Sequence, residues 1–128
     1  MISFNTFGHS NIRASHKNTI EFTREKALTP KGDCILGVDS GFDSKKIAEF
    51  IKGKSKITVK ITVDKLSDEF ECIPNPKFRD KKEMVFRLGE FSSERTLGLR
   101  ATKACRHIKR EIAEKMKQPG KKMVVTIS

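Results

Sequence analysis

Apolar and polar residues alternate along much of the chain, a pattern that predicts short strands with one buried face. The alternation is most regular from Lys56 to Asp64, where Ile or Val occupies every second position and Lys or Thr stands between them. Shorter runs of the same period predict strands over residues 1–7, 17–24, 34–38, 69–73, 84–88 and 123–127. The stretch from Arg95 to Arg100 fits a strand or a loop, and a turn is expected near Leu66 to Asp68.

Two other segments repeat their apolar residues at helical spacing. A short helix is expected from a cap at Asp43 or Ser44 to a stop at Gly53. A longer amphipathic helix is predicted over residues 101–118, because Pro and Gly follow directly after it. Its apolar face comprises Ala101, Ala104, Cys105, Ile108, Ile112 and Met116.

Together these elements predict a β-rich α+β fold in a single domain spanning residues 1–128. The strands alternate instead of being apolar throughout, so we expect a mostly antiparallel sheet or a β-sandwich-like arrangement. In this scheme a short middle helix and a C-terminal amphipathic helix precede one last strand.

The formal net charge of +11 favours a polyanionic partner, and nucleic acid, most simply RNA, is the first candidate. The charge is uneven, since residues 95–128 hold ten Lys or Arg and only two Glu. A charged surface of the kind found in thermophilic proteins is the alternative explanation.

A row of cations is predicted on the C-terminal helix, opposite its apolar face. Helical spacing of about 100° per residue places Lys103, Arg106, Arg110 and Lys117 within about sixty degrees of one another. Arg95 and Arg100 supply further anion contacts in this hypothesis, because guanidinium groups pair with phosphate bidentately. The alternatives are a solvated helix face and, for Arg95, a salt bridge to Glu90 or Glu94.

Chemically versatile side chains are concentrated near the amino terminus, at His9, Asn11, Arg13, His16 and Glu21. Three interpretations remain open. His9, His16 and Glu21 have suitable donors for a metal site, although their spacing matches no compact motif. His9 or His16 has the chemistry of a general base, with Arg13 steadying an anionic substrate. The polar side chains can instead satisfy backbone groups of a loop between two strands.

The three cysteines, Cys34, Cys72 and Cys105, are widely spaced and form no paired metal-ligand motif. Free thiols in a reducing cytoplasm are therefore expected, and no motif indicates a metal or another cofactor. The longest apolar runs are far shorter than the roughly 20 residues that span a bilayer, so we expect a soluble protein without a membrane partner.

Two groups of residues resemble a known family. The first is Gly8-His9-Ser10-Asn11-Ile12-Arg13-Ala14-Ser15-His16, followed by Thr19-x-Glu21-Phe22-Thr23 and by Leu28-Thr29-Pro30-Lys31-Gly32-Asp33-Cys34, and the second is Arg95-Thr96-Leu97-x-x-Arg100-Ala101-x-Lys103-Ala104. Together they are similar, over nearly the whole chain, to an archaeal family known as domain of unknown function 371. The resemblance implies a compact β-sandwich-like fold in an archaeal cytoplasm, and it implies neither an activity nor catalytic residues.

The leading hypothesis from the sequence is a small protein that binds RNA or another nucleic acid, in a setting such as the translation machinery. The cationic helix face would bind phosphates and the His9–His16 loop would add local contacts. The chain has no Trp or Tyr, so backbone and shape should matter more than stacked bases. The alternatives are an enzyme acting on a phosphorylated or nucleotide-like substrate through His9, Arg13, His16 and Glu21, and an assembly subunit.

Overall fold

Eight strands and two short helices make up the computed structural model, which describes every residue from Met1 to Ser128. In chain order they are β1 (Ile2–Phe7), β2 (Thr19–Thr23), β3 (Ile35–Gly37), α1 (Ser44–Ile51), β4 (Ile57–Val63), β5 (Leu66–Pro74), β6 (Glu83–Arg87), β7 (Thr96–Leu99), α2 (Arg110–Lys115) and β8 (Lys122–Ile127), with a 3-10 turn at Cys105–His107. The predicted β-rich α+β class is confirmed. Neither helix is long or apolar enough to cross a membrane.

The strands follow the spatial order β1-β8-β4-β5-β7-β6-β2-β3 and form two four-stranded leaves. The first leaf, β1-β8-β4-β5, is antiparallel throughout. In the second leaf, the antiparallel pair β2–β6 is flanked by the parallel pairs β2–β3 and β6–β7. The leaves join at both margins, where Ile73 pairs with Leu99 and Phe7 forms a bridge with Val38. The sheet therefore closes on itself as a flattened barrel.

Phenylalanine rings fill the space between the two leaves. Phe4 of the first leaf meets Phe22 of the second edge-on, with ring centroids 5.7 Å apart. Phe70 and Phe86 make the same cross-leaf contact at 5.1 Å. Edge-to-face packing of this kind adds to the free energy gained by burying the rings. This packed core holds the strands in place, and the strands fix the ends of the surface loops.

The β4–β5 hairpin is tighter than the sequence suggested. Val63 pairs directly with Leu66, so only Asp64 and Lys65 form the turn. Asp64 takes a left-handed φ of 53°, a conformation that Asp tolerates better than most residues. The turn expected near residues 66–68 was wrong, because those residues already belong to β5.

The C-terminal helix is much shorter than the predicted span of residues 101–118. A 3-10 turn and two non-helical residues precede α2, which covers less than half of that span. The Arg106 N–H donates to the His16 carbonyl at 3.1 Å, and the Lys109 N–H donates to Asp68 Oδ2 at 2.9 Å. In a continuous helix both groups would donate to carbonyls four residues earlier. Tertiary hydrogen bonds have thus replaced helical ones.

Candidate nucleic-acid interface

Two segments that are far apart in the sequence lie against each other at the surface: the β1–β2 loop (residues 8–18) and residues 104–110, which include the 3-10 turn and the first residue of α2. In addition to the Arg106–His16 hydrogen bond, the Arg110 guanidinium donates to the Ala14 carbonyl at 3.0 Å. The β1–β2 loop and residues 104–110 therefore form one continuous surface.

The imidazole rings of His9 and His16 shape the β1–β2 loop through their Nδ1 atoms. His9 Nδ1 accepts the Asn11 N–H at 2.9 Å. His16 Nδ1 accepts the N–H groups of Asn18 and Thr19, each at 3.1 Å. An Nδ1 that accepts hydrogen bonds carries no proton, so in this hydrogen-bonded state the ring proton of each histidine lies on Nε2. Both rings then present an N–H donor at Nε2, which suits contact with an anion better than the role of general base.

The rest of the loop is fastened to the body of the protein. Ile12 and Ala14 are fully buried, and the Asn11 carboxamide donates to the Leu28 carbonyl at 2.6 Å. The two N–H groups that follow Ala14 both donate to the Asp33 carbonyl. Ala14 itself has a left-handed φ of 48°, which costs about 1 kcal/mol for a residue with a Cβ and is maintained by these contacts. The loop is therefore a fixed scaffold for its exposed side chains.

Four residues of the two segments form what we name the basic loop surface: Arg13, His16, Lys17 and Arg106. Arg13, Lys17 and Arg106 are exposed. None of the three cations has a carboxylate oxygen within 4 Å, whereas ten other basic residues of the protein form such a pair. Their positive charge is not neutralised by any ion pair.

The cations predicted to line one helix do not form a single row. Lys103 lies before the 3-10 turn and its ammonium group pairs with the buried Asp68. Lys117, just beyond α2, pairs with Glu114 at 2.9 Å. The stripe was inferred from a continuous helix, and the break at Ile108 and Lys109 removes the basis of that inference.

The two arginines predicted to extend the stripe are also paired with carboxylates. Arg95 Nη1 contacts Glu83 Oε2 at 2.9 Å, and Arg100 Nε contacts Glu90 Oε1 at 2.6 Å. The salt bridge considered for Arg95 thus exists, but its partner is Glu83. Exposed pairs of this kind contribute little stability, yet they lower the charge available to a ligand.

Arg110 braces the two segments. Its guanidinium donates to the carbonyl of Ala14, as described above, and to the carbonyls of Cys105 and Ile108, at 2.6 and 3.1 Å. Three carbonyl acceptors orient the group and leave few N–H donors for a ligand. Of the six residues predicted to bind nucleic acid, only Arg106 has neither a carboxylate partner nor such a bracing role.

Glu21 of β2 belongs to a second, buried polar cluster, which the backbone of Asp33 and Cys34 connects to the β1–β2 loop. Its side chain is 6% exposed, and the Cys34 thiol lies 3.8 Å from Oε1. Burial, together with the neighbouring Glu83 carboxylate, raises the pKa of Glu21 from 4.5 to about 8. Burial, and then the charge of Glu21, raises the pKa of the Cys34 thiol to about 11. Sequence reasoning missed Cys34 and Glu83 as neighbours, because only the fold places these positions side by side.

The proposed catalytic constellation is not assembled in the structure. No hydrogen bond or ion pair joins His9, Arg13 or His16 to Glu21, although the His16 ring contacts the hydroxyl of Thr19, two residues before Glu21. No group of three His, Cys, Asp or Glu side chains has an arrangement that would hold a metal ion, so the metal interpretation of His9, His16 and Glu21 finds no support.

Comparison with known proteins agrees with the resemblance noted in the sequence. The family model described as domain of unknown function, DUF371, matches residues 4–128. The chain belongs to the DUF371 family. It is also similar to uncharacterized protein MJ0206 of Methanocaldococcus jannaschii, with 35% identity over 126 residues that cover 94% of this chain and 93% of that protein. Membership of DUF371 connects the chain to an archaeal relative and assigns it no activity.

Proposed function

We propose that the protein binds the phosphate backbone of nucleic acid, with RNA as the preferred ligand, through the basic loop surface. One observation carries the proposal: Arg13, Lys17 and Arg106 are exposed and unpaired on two segments that hydrogen bonds hold together. Unpaired cations on a fixed scaffold repel one another. A polyanion relieves that repulsion and releases its own counterions when it binds.

The hydrogen bonding of His16 supports the same interpretation. Its Nδ1 is occupied by backbone N–H groups, which leaves Nε2–H as a donor beside the cations. Guanidinium groups add paired N–H donors of the geometry that phosphate accepts bidentately, and the Lys17 ammonium adds a point charge. These are contacts to phosphate and sugar, which position a nucleic acid without reading its sequence.

Charge reversal tests the proposal. Arg106→Glu and Arg13→Glu should each weaken binding of a single-stranded RNA oligonucleotide at least tenfold, measured by fluorescence anisotropy with labelled RNA. Lys46→Glu is the matched control, because Lys46 is exposed and unpaired on α1 and hydrogen-bonds to neither segment. Equal losses in all three variants would mean that only overall charge matters, and would refute a defined surface.

A second candidate function, an enzyme acting on a phosphorylated substrate, is favoured by one observation. Glu21 keeps its proton at neutral pH because of burial and Glu83, as a general acid must. Under that hypothesis Glu21→Gln abolishes turnover and His16→Ala does the same while the fold survives. Under the binding proposal Glu21→Gln leaves RNA affinity unchanged, because Glu21 is buried and a ligand on the surface does not contact its side chain.

A further inference from the structure

The loop between β6 and β7 (residues 88–95) displays an exposed aromatic ring. Phe91 is 66% exposed, whereas Phe4, Phe22, Phe42, Phe70, Phe78 and Phe86 are all buried. Leaving a ring of this size in water forgoes roughly 1.5–3 kcal/mol of burial energy. A single exposed apolar residue is common, so the case for a role rests on how the loop holds this ring and what surrounds it.

The loop is fastened on both sides of Phe91. Before it, the Gly89 carbonyl accepts the Arg100 N–H at 3.0 Å. After it, the Ser93 carbonyl accepts the buried Asn75 carboxamide at 3.1 Å, and the Glu94 carbonyl accepts two further backbone N–H groups. A ring presented on a restrained loop loses little conformational entropy when it binds a ligand.

A cation lies against the ring. The Arg87 guanidinium carbon is 4.9 Å from the Phe91 ring centroid, and Arg87 Nε donates to Thr96 Oγ1 at 3.2 Å. The carboxylates of this loop, Glu90 and Glu94, are paired with Arg100 and Arg79. The surroundings of the ring therefore suit a ligand that combines a flat π-system with negative charge, as each nucleotide of a single strand does.

The Phe91 loop starts beside the basic loop surface. The Leu88 N–H donates to the Asn18 carbonyl at 3.0 Å, directly after Lys17 in the chain. Arg87 and Thr19 are paired residues of β6 and β2. One nucleic-acid strand crossing this margin of the barrel would meet the cations first and the ring next.

We propose that Phe91 is a stacking platform for a nucleobase of single-stranded RNA whose phosphates contact the basic loop surface. The inference rests on the proposed function and adds to it a preference for unpaired over double-stranded RNA. Base–aromatic stacking tolerates every base, so the site should show little sequence preference. Phe91 thus adds base contact to a surface that otherwise recognises the backbone.

Phe91→Trp offers a direct test, because the chain has no other Trp and no Tyr. Single-stranded oligouridylate should quench the fluorescence of this one indole, since a stacked base contacts it. Inorganic polyphosphate carries the same charge without bases, so it should bind the basic loop surface and leave the fluorescence unchanged. Quenching by both ligands, or by neither when both bind, would overturn the stacking platform.

Phe91→Ala gives the matching affinity measurement. It should weaken oligouridylate binding about tenfold and leave polyphosphate binding unchanged. An unaltered affinity for oligouridylate would refute the role of Phe91 while leaving the basic loop surface intact. Failure of the wild-type protein to bind either ligand would instead refute the proposed function. A change of oligomeric state in Phe91→Ala, with RNA affinity preserved, would show that the ring contacts a second copy of the chain and would also refute the inference.

Discussion

At the scale of single residues, the burial of Glu21 makes the free energy of unfolding depend on pH. Its pKa is raised from 4.5 in the unfolded chain to about 8 in the folded protein, first by burial and then by Glu83. Between these pH values the folded state binds more protons than the unfolded state. The free energy of unfolding must therefore fall as pH rises from about 4.5 to about 8, and the penalty is complete above that range.

Glu21→Gln should remove this penalty, because a carboxamide has the shape of the protonated carboxyl group and cannot ionise. Since one pKa unit corresponds to about 1.4 kcal/mol, a rise of this size should make the variant more stable than wild type by several kcal/mol at pH 9, and the two proteins should be about equally stable near pH 4.5. Urea unfolding across this pH range measures the difference. Glu111→Gln, at an exposed and unpaired position, is the control; parallel profiles for wild type and Glu21→Gln would contradict the account.

Gly8 marks a close approach of two backbones at the start of the β1–β2 loop. A Cβ at this position would lie 2.2 Å from the Gln118 carbonyl oxygen and 2.6 Å from that of Met116. Backbone atoms cannot move aside as a flexible side chain would, so Gly8→Ala should destabilise the protein by about 2–3 kcal/mol. Gly89→Ala is the control, because nothing lies within 4 Å of its Cβ. Thermal unfolding of both variants checks the prediction, and equal midpoints would contradict it.

The sequence located the important side chains of the β1–β2 loop but left their roles open. His9 and His16 have suitable chemistry for a metal site, a general base or a loop cap. Which role applies depends on where backbone N–H groups lie, and those of Asn11 and Asn18 are placed by the fold. Spacing along the chain does not contain that information.

At the scale of elements, the pattern predicted strands better than the C-terminal helix. Alternation over residues 56–64 reports which side chains face the core, and β4 follows it closely. The apolar spacing after Ala101 also predicted burial correctly, since Cys105, Ile108 and Ile112 are buried. Hydrogen bonds from outside the segment interrupt the helix, and a local pattern cannot reveal them.

Asp68 accepts one of these interrupting hydrogen bonds and should be a stability determinant. It is 8% exposed and accepts the Lys109 N–H and the Lys103 ammonium group. Burial alone would raise the pKa of Asp68, but the hydrogen bonds outweigh it, led by the one from Lys103, and lower that pKa. Its stabilising contribution is therefore present at neutral pH and is lost as pH falls through that lowered pKa.

Asp68→Ala should destabilise the protein by about 2–4 kcal/mol, because it strands a partly buried ammonium group and a backbone N–H. Asp64→Asn is the matched control, since Asp64 pairs with Lys115 and Lys121 at an exposed turn. Asn also tolerates the left-handed backbone there, so the control should unfold almost as the wild type does. Chemical denaturation compares the two, and a larger loss in the control would contradict the anchoring role of Asp68.

At the scale of the whole molecule, closure of the barrel decides which residues become neighbours. The bridge between Phe7 and Val38 joins segments more than thirty residues apart, and the Thr6 hydroxyl reinforces it by donating to the Val38 carbonyl at 3.0 Å. Strand alternation fixes which face of each strand is buried but not which strands pair. The β-rich class and the sandwich-like arrangement were therefore predictable, whereas the strand order and the closure of the sheet were not.

Closure of the barrel also determines where the positively charged residues lie and which of them pair with carboxylates. Four of the six cations predicted to bind nucleic acid are paired with carboxylates, while Arg106 joins Arg13 and Lys17 from the other end of the chain. A count of charges in the sequence identified an excess but not its location. The central claim of this account is that the unpaired excess at this place binds a phosphate backbone.

The salt dependence of RNA binding tests that claim most directly. The affinity of the wild-type protein for a single-stranded oligonucleotide should fall steeply with salt, and the double variant Arg13→Gln, Arg106→Gln should show a shallower dependence. Each lost phosphate contact should reduce the slope of log K against log salt concentration by about 0.7. A slope about 1.4 smaller in the double variant is the predicted result. Equal slopes in the two proteins, or a wild-type affinity that does not change between low and moderate salt, would contradict it.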